Sequence, residues 1–263
     1  MDTSDVRSAA RQAGDNPVLE NAARLGYAVS GVLHLLIAWI AVQLAWFGGS
    51  GSAADQSGAL QQLASTGVGR ATLWLAVVGF VGLGLWQLTE VVVGSEEASD
   101  RVKAGAKCLV YLFLAFSCLS WARTSQGSSS SQQTSDVTAT LMSEPAGRLL
   151  VGAVGAGILA VGGYHVVKGW TKKFLEDLQQ RPGTWATRAG RFGYIAKGVA
   201  LGLVGVLFVL AGVHGAADQS TGLDGALHTL LQAPYGQGLL TVVALGFASY
   251  AVYSFARARY AKV

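Results

Sequence analysis

Six long apolar stretches run through the 263 residues, each closed off by polar residues on both sides. They lie near Leu25–Phe47, Ala71–Val93, Ala104–Trp121, Leu149–Trp170, Phe192–Val213 and Leu239–Phe255. A helix needs about 20 apolar residues to cross the hydrocarbon core of a bilayer, and these stretches approach or exceed that length. Strands of a membrane barrel would alternate apolar and polar side chains, and these runs do not. The pattern predicts an all-α, polytopic membrane protein with six transmembrane helices.

Composition agrees. The chain is 51% hydrophobic and 13% charged, against about 25% charged in soluble domains, so it lacks the charge to cover a soluble surface. A net charge of +4 gives no reason to invoke nucleic acid. What matters is where the basic residues lie. The segment before the first run, the second-to-third and fourth-to-fifth connections and the tail, with Lys107, Lys168 and Lys197 just inside the adjoining runs, together hold 16 of the 19 lysines and arginines. Only Arg70, Arg123 and Arg148 fall on the other side. Basic residues stay in the cytoplasm, so both termini are expected there. Trp46, Trp74, Trp121 and Tyr235 suit the outer interface, and Tyr27, Trp170, Tyr194 and Tyr260 the inner one. No apolar run adjoins Met1, so the first span is expected to act as an uncleaved anchor. Asn16 and Pro17 have the form of a helix cap and first helical residue. The stretch GSSSSQQTS (127–135) reads as a solvated outer loop, and Trp185 with Arg188 as part of a short helix at the headgroups. Cys108 and Cys118, ten residues apart on one helix, are too distant to join in a disulfide.

The chain also repeats itself. RLGYAVSGV at Arg24 returns as RFGYIAKGV at Arg191, and Arg101 opens a third copy that has Lys103-Ala104 in place of glycine-tyrosine. Six residues after these arginines stand Ser30, Lys107 and Lys197. Gly69, Gly147 and Gly236 follow the arginines by 45, 46 and 45 residues. Ten further on are Gly79, Gly157 and Gly246, and twenty-one further on Glu90, Lys168 and Arg257. The chain therefore divides into a polar leader (1–20) and three parallel two-helix hairpins, 21–97, 98–180 and 181–263, the last with a cytoplasmic tail. An arrangement about a pseudo-threefold axis is expected. Gly79, Gly157 and Gly246 are expected to pack against neighbouring helices, as are the small-residue series Gly198-Gly202 and Gly152-Ala156-Ala160.

These openings resemble domain-of-unknown-function family 1206, whose members look like three copies of a transmembrane helix pair and whose repeat opens with a similar arginine-glycine-tyrosine-lysine motif. The resemblance implies a bacterial multi-pass protein and supplies no activity.

The remaining polar residues form a candidate intramembrane network: Glu90, Lys107, Lys197, Lys168, Arg257, Ser30, His34 and His165. Glu90 stands where the other copies carry cations, so a pair with Lys107 or Lys197 is expected. No nucleophile motif, phosphate loop or dinucleotide fingerprint occurs, and the spacing of His214, Asp218, Asp224 and His228 matches no zinc pattern. The expectation is a non-enzyme without catalytic residues, metal or cofactor. Its role would be structural or partner-binding, with a small-solute or ion transporter or channel as the alternative. Expected partners are membrane lipids, including anionic headgroups on the cytoplasmic side, and a membrane-protein partner or second copy.

Overall fold

The structure, a computed structural model, describes residues 16–49, 51–93, 98–124 and 130–262. Six of its helices are long and apolar enough to cross a membrane. They are α1 (Pro17–Phe47), α3 (Gly67–Val93), α4 (Ala98–Thr124), α6 (Pro145–Trp170), α7 (Thr184–His214) and α9 (Gly236–Tyr260). Short helices α2 (Gln56–Ala64), α5 (Ser130–Met142) and α8 (Gly222–Gln232) join the two spans of each hairpin. Each hairpin thus starts and ends at the same face, which holds the start of α1 and the end of α9. It is called the basic end below.

Local chemistry sets the ends of α1. The Asn16 side chain accepts from Val18 N at 2.9 Å, and Pro17 begins the helix. Gly48 closes it in the left-handed region at φ 75°, which a residue without Cβ adopts freely. Two connections differ from the sequence expectation. Helix α5 occupies Ser130–Met142, where 127–135 reads as a soft loop, while residues 125–129 lie outside the described residues. Trp185 and Arg188 belong to the first turns of α7, because the helix runs unbroken from Thr184. No separate headgroup helix forms there. Instead a 3-10 turn, Lys173–Asp177, folds back under the bundle and inserts Phe174, which is fully buried. The tail is stitched to this turn. Gln179 N donates to Tyr260 O at 2.7 Å, and Lys262 N donates to Asp177 O at 3.1 Å.

The six spans pack in the order α4, α3, α1, α9, α7, α6. A closed threefold ring would add α4 against α6, the two spans of the middle hairpin. These do not pack along their length, so the ring is open on that side. Glycines show why the closed contacts are close. A Cβ on Gly26 would lie 2.6 Å from Gly79 O, and one on Gly79 2.6 Å from Gly26 N. A Cβ on Gly193 would lie 2.5 Å from Tyr250 N, and one on Gly246 would run into the Ala196 Cβ. Helices α1 and α3, and α7 and α9, meet backbone to backbone at these points. Helices α6 and α7 meet along a seven-residue series, Gly155, Gly162 and Gly169 against Gly198, Gly205 and Gly212. That spacing suits a left-handed crossing.

Two packing expectations are corrected. Gly157 is exposed, with nothing within 4 Å of an added Cβ. Two residues from Gly155 is about 200° around the helix, so Gly157 faces away from α7. For the same reason the seam does not use Ala156 or Ala160, which are both exposed. Gly202 contributes its backbone, 2.9 Å from a Cβ placed on Gly162, but its own Cβ direction is open.

Candidate functional site

Helices α1, α7 and α9 each present a polar column toward the others. On α1 it is Tyr27, Ser30 and His34; on α7, Tyr194 and Lys197; on α9, Tyr250, Tyr253 and Arg257. Spacings of three, four and seven residues place each set on one helix face.

His34 and Lys197 hold the centre. His34 Nδ1 lies 2.7 Å from Ser30 O. A carbonyl only accepts, so this nitrogen carries the hydrogen. Nε2 is then the acceptor, and Lys197 Nζ donates to it at 3.3 Å. Tyr250 closes the group, its ring centroid 4.6 Å from the His34 ring and 4.3 Å from Lys197 Nζ. Nearer the basic end, Arg257 Nη2 donates to Tyr27 Oη at 3.0 Å, and its guanidinium lies 4.1 Å from the Tyr27 ring centroid. The Arg257 Nε is buried without a partner among the described residues. Helix α6 adds Lys168, paired with Asp177 at 2.7 Å, and His165, which donates from Nδ1 to Val161 O at 2.9 Å and stacks on Tyr194. Tyr253 donates to Phe174 O at 2.8 Å, fixing the 3-10 turn beneath the cluster.

The charges do not balance. Asp177 answers Lys168. Among the described residues, no carboxylate lies within ion-pair distance of Lys107, Lys197 or Arg257. Lys197 and Arg257 rest instead on aromatic faces, a hydroxyl and an imidazole. A desolvated cation gains about 2 kcal/mol from a ring, less than the several kcal/mol its desolvation costs. The interior of this half of the bundle is therefore electropositive.

Of the residues expected in the network, the structure joins Ser30, His34 and Lys197 directly, with Arg257, Lys168 and His165 around them. Glu90 is not among them. It is exposed on α3 and, among the described residues, makes no ion pair with Lys107 or Lys197. Depth separates it from Lys197. Glu90 lies seven residues beyond the Gly26–Leu83 contact toward the basic end, and His34 eight residues the other way. Fifteen residues of helix is about 22 Å. Direction separates it from Lys107. Gly84 faces Leu112 of α4, and six residues further the helix has turned about 240°. Lys107 itself is exposed on α4. Sequence reasoning passed over Tyr250 and Asp177. Tyr250 was detectable, one turn deeper than Tyr253 on the same face. Asp177 lies outside the spans in a turn whose path no periodicity reveals.

At the opposite end Ala54 N donates to Asp224 Oδ1 at 2.6 Å, joining the first hairpin to the third. His228 Nδ1 stands 3.5 Å from the same carboxylate oxygen. Beside them is a cleft of about 530 Å³ lined by Gly48, Gly49, Ser57, Gln61 and Trp121 among others. Among the described residues no group of three or more histidines, cysteines or carboxylates could hold a metal.

Comparison with known proteins places these units. The model of the family described as Domain of Unknown Function (DUF1206) matches three times, at residues 25–94, 102–172 and 192–261. The chain is 27% identical over 256 residues to Uncharacterized protein YxxB of Bacillus subtilis (strain 168), an alignment covering 93% of this chain and 92% of that protein. No solved structure matches. With one match on each hairpin and most of its length covered, this multi-pass membrane protein belongs to the DUF1206 family.

Proposed function

We propose that the protein is a non-catalytic component of the bacterial plasma membrane, with both termini in the cytoplasm, whose work is to bind another membrane constituent. The observation that carries this reading is the open side of the ring, where α4 and α6 leave a place that none of the described residues fills. The chemistry of the interior supports it. Both nitrogens of His34 are committed, Lys168 is held by Asp177, and Tyr253 is held by Phe174 O. None of these groups is poised beside a free nucleophile. The test is extraction of the full chain from its native membrane in polymer discs, followed by native mass spectrometry. A constituent retained in fixed ratio and enriched over the surrounding membrane is expected. A bare chain with bulk lipid only would sink the reading. The orientation has its own test. A reporter that works only outside the cytoplasm should stay silent after Val263 and be active when inserted near Ser130.

One observation favours a transporter instead. The Lys197–His34 pair lies well inside the span region, and an ionisable pair at such depth suits an ion or proton path. Proteoliposomes decide between the two readings. Transport predicts a pH-dependent flux that Lys197→Met abolishes, whereas the binding reading predicts no flux above that of empty vesicles.

A further inference from the structure

We propose that an anionic phospholipid fills the opening between α4 and α6, its phosphate on Lys107 and its acyl chains along the exposed apolar faces of both helices. This rests on the binding reading above and names the constituent bound. On α6 the opening is lined by Gly157, Val161, Tyr164 and Lys168, spaced i, i+4, i+7 and i+11 and so on one face. This face is turned away from the Gly155–Gly162–Gly169 seam with α7. Gly157, Val161 and Tyr164 are all exposed, and the missing side chain at Gly157 leaves room for a chain of methylenes. On α4 the wall is Lys107 and, one turn deeper, exposed Val110.

Charge selects the occupant. Lys107 stands in the field of Asp177, Arg257, Lys168 and, more weakly, Glu90. Asp177 is spent on Lys168 and exposed Glu90 makes no ion pair with Lys107, so neither Lys107 nor Arg257 has a carboxylate within ion-pair distance among the described residues. A zwitterionic headgroup brings a positive charge along with its phosphate, whereas an anionic one does not. Basic pockets between spans near the cytoplasmic surface are suited to such headgroups. A second copy of the chain fits poorly. It would bring this same end, where most of the basic side chains of the described residues lie, against an opening that is already positive. The depth also suits a phosphate. Lys107 is nine residues from the start of α4, about 14 Å, and its side chain can reach back toward the interface.

The experiment is native mass spectrometry of the full chain in detergent, titrated with phosphatidylglycerol, with phosphatidylcholine and with inorganic phosphate. Wild type should retain phosphatidylglycerol at least about five-fold better than phosphatidylcholine, and Lys107→Gln should lose about five-fold, the scale of one lysine at an anionic surface. Gly157→Leu, which fills the acyl side of the opening, should weaken both lipids without lowering thermal stability. Lys103→Gln is the control, since that lysine pairs with Asp100 on the same helix, and it should change binding less than two-fold. Equal retention of the two lipids, an equal loss in Lys103→Gln, or phosphate binding as well as the lipid would each overturn the proposal. So would a dimer whose interface is blocked by Gly157→Leu, though that outcome would leave the binding reading standing. If neither lipid nor any protein occupies the opening, both fail.

Discussion

The first and third hairpins are closed and the middle one is open, although the three are copies of one unit. Nine residues after the opening arginines stand Leu33, Val110 and Ala200, and fourteen after the repeated glycines stand Leu83, Val161 and Tyr250. In the closed hairpins these positions are 3% and 0% exposed, and 1% and 7%. In the middle one they are 55% and 48% exposed. The difference traces to one position in the repeat. Gly26 and Gly193 let the two backbones touch, whereas Lys103 stands at that position in the middle copy. A long charged side chain cannot enter a contact in which even a Cβ collides. One lost glycine thus leaves a seam unformed and an aligned partner, Gly157, facing open space. A repeat that fails to close leaves the apolar faces of α4 and α6 uncovered by the described residues, which is where the lipid proposed above would lie.

The closed state of the third hairpin is the strongest point to attack. Phe174 is fully buried between Tyr194 and Tyr253, and a Cβ on Gly190 would meet it. Phe174→Ala should cost about 4 kcal/mol, seen as a large fall in detergent thermal stability. A loss under about 1 kcal/mol would mean that the turn does not seal the hairpin. Gly193→Ala should cost about 2 kcal/mol, because the new methyl meets the Tyr250 backbone, which cannot rotate away. The same change at Gly157 should stay within about 0.5 kcal/mol. Equal effects at the two positions would remove the distinction between open and closed hairpins.

Much of this contrast is visible in the chain itself. The six spans follow from apolar length, and the hairpins from the three arginine openings. The departure at Lys103-Ala104 marks the middle copy in the sequence itself. Which way each residue faces is harder to read. Glu90 aligns with Lys168 and Arg257 by count and lies as near the end of its helix, but its side chain is exposed rather than turned into the cluster. Gly157 aligns with Gly79 and Gly246 as well, yet a small residue packs only if a partner helix comes to it. Partner choice depends on all six helices at once, and no repeat register records it. The helix at Ser130–Met142 was illegible for another reason. Serine and threonine are only modest helix formers in isolation, and α5 lies against α6 and α8.

Smaller effects sharpen the seam between the closed hairpins. His34 of the first and Lys197 of the third should be coupled by about 1 kcal/mol in a double-mutant cycle of His34→Phe and Lys197→Met. Additive losses would show that the 3.3 Å contact carries no energy. At the opposite end, burial holds the Asp55 carboxyl above its usual range, against the pull of the Ser57 hydroxyl and Gly58 N–H, and the nearby Asp224 carboxylate raises it further. A carboxyl whose folded pKa is raised favours the fold while protonated. That contribution is complete below the unfolded value of about 4 and is lost as pH rises through the raised folded value. Thermal stability should therefore fall more between pH 4 and 7 in wild type than in Asp55→Asn, whose amide can still cap α2. Parallel pH profiles would show that Asp55 is not desolvated.

The open middle hairpin is tested most directly by distance. Leu35 and Val78 of the first hairpin, and Leu112 and Ala156 of the middle one, occupy aligned and exposed positions. Spin labels can be placed at all four, with Leu112 giving up its contact with Gly84, once Cys108 and Cys118 are replaced. Measured by pulsed electron resonance on the full chain in lipid discs, the 112/156 pair should be farther apart than the 35/78 pair by about 10 Å, one helix spacing. Equal separations would mean that the three hairpins are closed alike, and would contradict the account.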